Sequence, residues 1–193
     1  AHTYAFVSAY LFSNKTPIIL SRRVDFPISG SYFSRLKYNH ASIRKIACVS
    51  HSIRSVMQPF VEDKSKLTVI HSGIDLSRFQ VPPSDELRKQ YDLPKEVKII
   101  INVAALSVHK DHATFVRTAE RLLQQRSDLV FFIVGGDAEN GAHIRSLIAE
   151  KGLASNIICT GYRTDITSLL HQADVFLFTS REEGLGTSIL DAF

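Results

Sequence analysis

The order of elements along this chain predicts an α/β protein built on parallel sheets, and two observations carry that expectation. Short β-branched runs alternate with segments of helical periodicity, and glycines stand where the runs turn. In the clearest case, Val97 to Val103, the run is apolar almost throughout, as a strand covered on both faces must be.

The second half shows the alternation most regularly. After the Val97–Val103 strand comes a loop, then Asp111 as a helix N-cap. The helix that follows sets Phe115, Val116, Ala119, Leu122 and Leu123 on one stripe. Leu129 to Val134 reads as the next strand, broken by Gly135 and Gly136, and Gly141 to Lys151 as a helix stopped by Gly152. A strand from Ile157 to Thr160 ends at Gly161, a helix runs from Asp165 to Ala173, and a strand from Val175 to Phe178. The turn at residues 183–186 opens a last helix near Thr187. Four strand–loop–helix units in register make this half a doubly wound domain.

The first half is less regular. Helices are expected at residues 5–12, 33–40 and 51–58, the last beginning after Ser50, and strands at 16–20, 45–49 and 67–70. Residues 74–83, with a Pro82–Pro83 pair and no periodicity, read as a hinge between domains 1–73 and 84–193.

Composition narrows the function. With 193 residues and 45% hydrophobic content, the chain can form one large domain or one and a half ordinary ones. Its 23 basic and 19 acidic residues give +4, and they are scattered, unlike the concentrated basic face of a nucleic-acid binder. The densest group is Arg22, Arg23, Arg35, Lys37, Arg44 and Lys45, which suits a solvated surface, an anionic membrane or an acidic acceptor. Cys48 and Cys159 lie in apolar runs and read as buried free thiols of a reducing compartment. No CxxC or HExxH spacing occurs, so no metal is expected. No apolar stretch reaches the roughly 18–20 residues that span a bilayer. A start without Met or a leader, and an end inside a helix, read as a piece of a longer protein.

In open parallel sheets, ligands meet the carboxyl ends of the strands. The loops placed there are residues 104–110, 135–140, 162–164 and 180–186. Lys110 puts a compact cation just before a helix start, where a phosphate can meet it. Gly184 and Gly186 let backbone approach a ligand closely, and the amides of Thr187 and Ser188 follow them. Glu183 and Asp191, eight residues apart, flank that turn. Paired carboxylates alone would suit hydrolysis, but a glycine turn and a helix start between them suit a phosphate-bearing ligand better.

The segment from Ser180 to Phe193, SREEGLGTSILDAF, resembles the Glu-x7-Glu motif of family 4 glycosyltransferases, which have the GT-B fold. Four further segments agree in order. Val69 to Phe79 is similar to the family's inter-domain "IPNGVD…F" signature, and Val103 to Lys110 to its "VGRL…K" phosphate loop. Gly161 to Asp165 with Ala173 to Phe176 is similar to its "G…D…ADVF" stretch, and Val49–Ser50 to the "VS" before a helix late in the acceptor domain.

The resemblance implies a GT-B type α/β fold of two Rossmann-like parallel-sheet domains, here the later part of the acceptor-side domain and most of the donor domain. It implies retaining transfer of a sugar from a nucleoside-diphosphate sugar to a hydroxyl of a saccharide or lipid-linked acceptor. No cofactor or dedicated metal is implied. Lys110 would neutralise the donor diphosphate and Glu183 contact the transferred sugar, the two residues given catalytic roles. The amides of Gly184, Leu185, Gly186 and Thr187 would lie near the phosphates and Asp191 would bind the ribose. Backbone at Tyr162 and Arg163 would frame the base, and Gly135 and Gly136 would let the sheet edge approach the donor. The setting would be cytoplasmic, at the inner face of a membrane, with peripheral membrane contact open.

Three positions depart from the family pattern. The usual Arg of the phosphate loop is Ala105, the second acid is Asp191 in place of Glu, and the hinge Asn is Ser72. Arg181, Arg22 or Arg23 could supply the missing charge. The family's acceptor-side His falls at or before the start of this chain, where His2 is a possible match. With the outer segments of both domains absent, the piece by itself is expected to be inactive. Competing readings are a nucleotide-sugar epimerase on the same fold and a non-catalytic nucleotide- or glycan-binding module. A dinucleotide-dependent oxidoreductase is a weaker third, because Gly135, Gly136 and Gly141 do not make GxGxxG.

Overall fold

Parallel strands cannot be joined by tight hairpins, so each apolar run must be followed by a crossover, and the helices supply it. In the computed structural model, which describes residues 2–26, 28–82 and 84–193, the alternation becomes two parallel sheets. Ala1, Pro27 and Pro83, the last of these in the expected hinge, lie outside the described residues. Contacts group the chain into two units, Ala1–Gly73 with Glu183–Leu185, and Ile74–Glu182 with Gly186–Phe193.

The first unit carries α1 (His2–Leu11), β1 (Ile18–Arg22), α2 (Tyr32–Asn39), β2 (Ile43–Cys48), α3 (His51–Met57) and β3 (Leu67–Val69). Its sheet has the order β1-β2-β3. The expected strands shift by up to two residues. Strand β2 begins at Ile43 because that side chain is fully buried and pairs with Ile18 across the ladder, whereas Arg44 and Lys45 point outward. Ser50 caps α3 as expected, its hydroxyl accepting from the Ile53 amide at 3.2 Å. Ile43, Ile46, Cys48, Ile53, Met57 and Leu67 form the core, and Leu185 packs on it from the returning segment.

The second unit carries α4 (Glu86–Gln90), β4 (Lys98–Val103), α5 (His112–Leu123), β5 (Leu129–Val134), α6 (Gly141–Glu150), β6 (Ile157–Gly161), α7 (Ile166–Gln172), β7 (Val175–Phe176) and α8 (Thr187–Ala192). The apolar runs are sandwiched between two layers. Ile100, Phe131 and Ile133 face Phe115, Val116 and Ala119 of α5 and Ile144 and Ile148 of α6. Ile99, Ile101, Val130 and Phe132 face Leu87 of α4 and Leu169 of α7. Helix α4 has no counterpart among the sequence expectations, because one short turn leaves no periodicity to read. Its Leu87 nevertheless closes one face of the core at 1% exposure. Both cysteines are free, Cys48 buried but Cys159 only half-buried, since β6 is an edge strand.

Strand order in this sheet is β6-β5-β4-β7. The chain steps outward from β4 to β6, then returns to the other side of β4. The strand order therefore reverses at β4 and β7, the topological position at which open α/β sheets bind ligands. Strand β7 is two residues shorter than the expected 175–178, and a contact with β4 accounts for it. The Leu177 carbonyl accepts from the Asn102 side chain at 2.7 Å, so a side chain ends the ladder.

Candidate functional site

The switch point joins the loop after β4, which ends in Lys110, to the loop after β7, which leads to Glu183. Two bonds tie them. The Arg181 amide donates to the His109 carbonyl at 2.9 Å, and the Thr179 hydroxyl to the Lys110 carbonyl at 3.1 Å. On its other side the β4 loop is held by the β5 loop. The Leu106 amide donates to the Gly136 carbonyl, and the Val108 amide to the Glu139 carboxylate. Lys110 ends a short 3-10 turn, Val108–Lys110, and is half-buried. Its loop is thus fixed from both flanks before any ligand arrives, the preorganisation that electrostatic stabilisation requires.

Asp111 caps α5 as the sequence suggested, accepting from the Thr114 amide at 3.3 Å and the Thr114 hydroxyl at 2.8 Å. It does so in the left-handed region, at φ 47°, which Asp tolerates better than most residues. Its carboxylate also takes a hydrogen bond from Arg181 Nε at 2.8 Å. Burial would raise its pKa, but the bonds from Arg181 and Thr114 outweigh that and hold it below the usual carboxylate range.

Asn102 and His112 form a buried pair that the sequence expectations do not include. Because the Asn102 amide donates to Leu177, its oxygen is left to accept from His112 Nε2, 3.2 Å away. Neutral His112 then keeps Nδ1 bare, and among the described residues that buried atom has no partner. Burial first, and the Lys110 charge second, push its pKa down to about 4. One detectable signal did exist, since Asn102 is the one polar residue within the stretch Ile99 to Val103 of β4.

A pH dependence follows. An unfolded imidazole titrates near 6.5, so between there and about 4 the folded chain binds fewer protons than the unfolded chain. Stability is complete above that window and falls with pH through it, by on the order of 3 kcal/mol from this group. Denaturant midpoints for wild type and His112→Gln should converge on acidification as wild type loses its advantage; parallel pH profiles would contradict this.

The glycines divide by role. A Cβ on Gly135 would lie 2.0 Å from the Ala104 carbonyl oxygen, so this glycine is required by the neighbouring loop. The expected role of Gly135 in donor approach stands beside this packing requirement. Gly136 has ordinary room, its nearest neighbour being Tyr162 Cβ at 3.8 Å. Gly186 adopts φ 66° just before α8, a conformation that favours glycine. Gly184 and Leu185 group with the first unit, and a Cβ on Gly184 would lie 2.1 Å from the Arg23 carbonyl oxygen.

The remaining expected site residues are more dispersed. Tyr162 is 79% exposed beside the end of β6. Arg163 has its guanidinium occupied, with Nε and NH2 donating to Asp165 at 2.8 and 2.6 Å and NH1 to Gln90 at 3.1 Å. Thr187 begins α8 and is exposed, while Glu183 and Asp191 are half-buried. Of the cations weighed against Ala105, Arg23 donates to Ser72 at 3.0 Å and Arg22 to the Phe26 carbonyl. Among the described residues, no group of three or more His, Cys, Asp or Glu is placed to hold a metal ion. Among the described residues no helix is long and apolar enough to cross a membrane.

Two parallel sheets flanked by helices, one with a strand-order reversal where the loop ending in Lys110 is bonded to the loop after β7, define a Rossmann-like α/β protein of the GT-B type. The structure superimposes on that of Anabaena Alr3699/HepE, solved in complex with UDP and glucose, with a TM-score of 0.81 at 18% identity, covering 99% of this chain and 53% of that one. The chain belongs to the glycosyl transferases group 1 family, whose family model matches residues 83–193, more than half of its length. It is 26% identical over 154 residues to UDP-Gal:alpha-D-GlcNAc-diphosphoundecaprenol alpha-1,3-galactosyltransferase of Escherichia coli, covering 77% of this chain and 40% of that one. It is 32% identical over 133 residues to the lipopolysaccharide core biosynthesis mannosyltransferase LpsB of Rhizobium meliloti (strain 1021), covering 65% of this chain and 37% of that one. The chain thus spans about two fifths of the length of these curated relatives.

Proposed function

We propose that the protein transfers a sugar from a nucleoside-diphosphate sugar to a hydroxyl of a glycan or lipid-linked acceptor, with retention of anomeric configuration, as a family 4 glycosyltransferase. The observation that carries this reading is the fastening of the Lys110 loop to the loop leading into Glu183 at the strand-order reversal. A diphosphate leaving group develops negative charge there, and a prefixed cation stabilises it without reorganisation. Glu183 contacts the transferred sugar, the 184–187 amides lie near the phosphates, and Asp191 binds the ribose. Tyr162 and Arg163 frame the base through their backbone, and Gly135 and Gly136 shape the rim behind it. No cofactor or dedicated metal is needed, because protein cations meet the diphosphate. Residues 1–73 belong to the acceptor-side domain and 84–193 to the donor domain, with 74–83 as the hinge.

Two comparisons support the donor and acceptor classes. A protein of the same fold has been solved with UDP and glucose, and a relative is named for a UDP sugar donor and an undecaprenol-linked acceptor. An acceptor of that kind would set the work at the cytoplasmic face of a membrane, with peripheral contact. The test is to offer full-length protein UDP-, GDP- and ADP-sugars with lipid-linked and free glycan acceptors, following nucleoside diphosphate release and the anomeric configuration of the product. Release coupled to an α-linked product from an α-linked donor supports the reading. An inverted product defeats retention, an epimerised nucleotide sugar replaces transfer with epimerisation, and binding without release makes the protein a binding module.

A further inference from the structure

A donor diphosphate carries at least two negative charges, and the β4 loop offers one cation to meet them, since its exposed position 105 is alanine. Arg181 stands on the facing loop. Its backbone amide is bonded to the His109 carbonyl, so Arg181 runs alongside the residue just before Lys110. Its side chain is 67% exposed, while that of its partner Asp111 is only 9% exposed. The pairing uses Nε alone, at 2.8 Å, and among the described residues NH1 and NH2 donate to nothing.

This arrangement pairs the guanidinium with the Asp111 carboxylate along its Nε edge and leaves the amino edge to donate elsewhere. Asp111 is already engaged by the amide and hydroxyl of Thr114 at the start of a 12-residue helix, whose N-terminal dipole also compensates its charge. Its two remaining amino groups form the flat fork that matches phosphate oxygens. Held by Nε from behind, the side chain has lost much of its rotamer freedom before a ligand binds, which lowers the cost of each bond it forms.

From this geometry we infer that Arg181 is a second donor-diphosphate cation, aimed by Asp111 and acting from the loop opposite Lys110. The inference rests on the donor reading given above. It assigns the replacement for the charge missing at Ala105 to one residue of the three that could supply it.

The test measures binding of UDP, GDP and ADP, and of the matching nucleosides, to full-length wild type, Arg181→Ala and Lys110→Ala by calorimetry, with thermal melts confirming that each variant is folded. For the diphosphate that wild type binds best, Arg181→Ala should weaken affinity by on the order of tenfold to a hundredfold, the scale of a charge-assisted hydrogen bond. Affinity for the corresponding nucleoside should stay within about twofold, because only the phosphates meet the guanidinium. Should diphosphate affinity survive in Arg181→Ala but fall in Lys110→Ala, the inference is wrong and the donor reading stands. Equal weakening of diphosphate and nucleoside would mean a structural effect and also overturn it. If wild type binds none of the three diphosphates, the donor reading falls and takes this inference with it.

Discussion

Lys110→Ala in the full-length protein is expected to slow nucleoside diphosphate release by roughly 100- to 1,000-fold, the loss seen when a preorganised charge-stabilising group is removed. The reason lies in how the residue is held. Its carbonyl accepts from Thr179, the carbonyl before it accepts from the Arg181 amide, and Asp111 fixes the start of α5 directly after it. A lysine on a floating loop would lose much of its electrostatic effect to side-chain entropy and solvent. One anchored on both sides loses less. On the proposed role, in which the charge Lys110 meets grows as the bond to the leaving group breaks, the fall should be larger in kcat than in donor affinity. Steady-state kinetics on the best donor would check this. An unchanged kcat would remove Lys110 from the reacting centre.

Gly135→Ala is expected to cost about 3 kcal/mol, at the upper end of what overpacking usually costs. The added Cβ would stand 2.0 Å from the Ala104 carbonyl oxygen and 2.5 Å from its carbon. Neither side can yield cheaply. The Ala104 amide donates to the Val134 carbonyl and the Gly135 amide to the Gly161 carbonyl, so relief would break the ends of β4, β5 and β6 together. Because the displaced segment leads to Lys110, diphosphate affinity should fall with stability. Gly136→Ala is the built-in comparison, with its nearest contact at 3.8 Å and an expected change within about 0.5 kcal/mol. Urea titrations of both variants read the contrast directly, and equal midpoints would refute it.

Much of this was legible beforehand because the signals were local. The run Leu129 to Val134 is a strand with the bounds its composition predicted, since all six side chains are buried and no polar residue interrupts them. Ser50 and Asp111 cap their helices because a short oxygen-bearing side chain before a periodic segment has few better partners than the first free amides. Misplaced boundaries came where burial and polarity disagreed. Ile43 joins β2 although two cations follow it, and β7 stops early because Asn102 takes the next carbonyl.

The sequence by itself determined the alternation of strands and helices, the two-faced burial of the central strands, and the residues at the carboxyl ends of the strands. These follow from the periods of the pleat and the helix, which are written in neighbouring residues. Tertiary structure decided that β7 returns beside β4, that Asn102 pairs with His112, and that Arg181 meets Asp111 from 70 residues away. It also grouped Glu183–Leu185 with the first unit. Such pairings depend on which carbonyl or carboxylate lies opposite once the sheet has closed. A local pattern fixes which face a side chain takes, and only the completed packing chooses its partner.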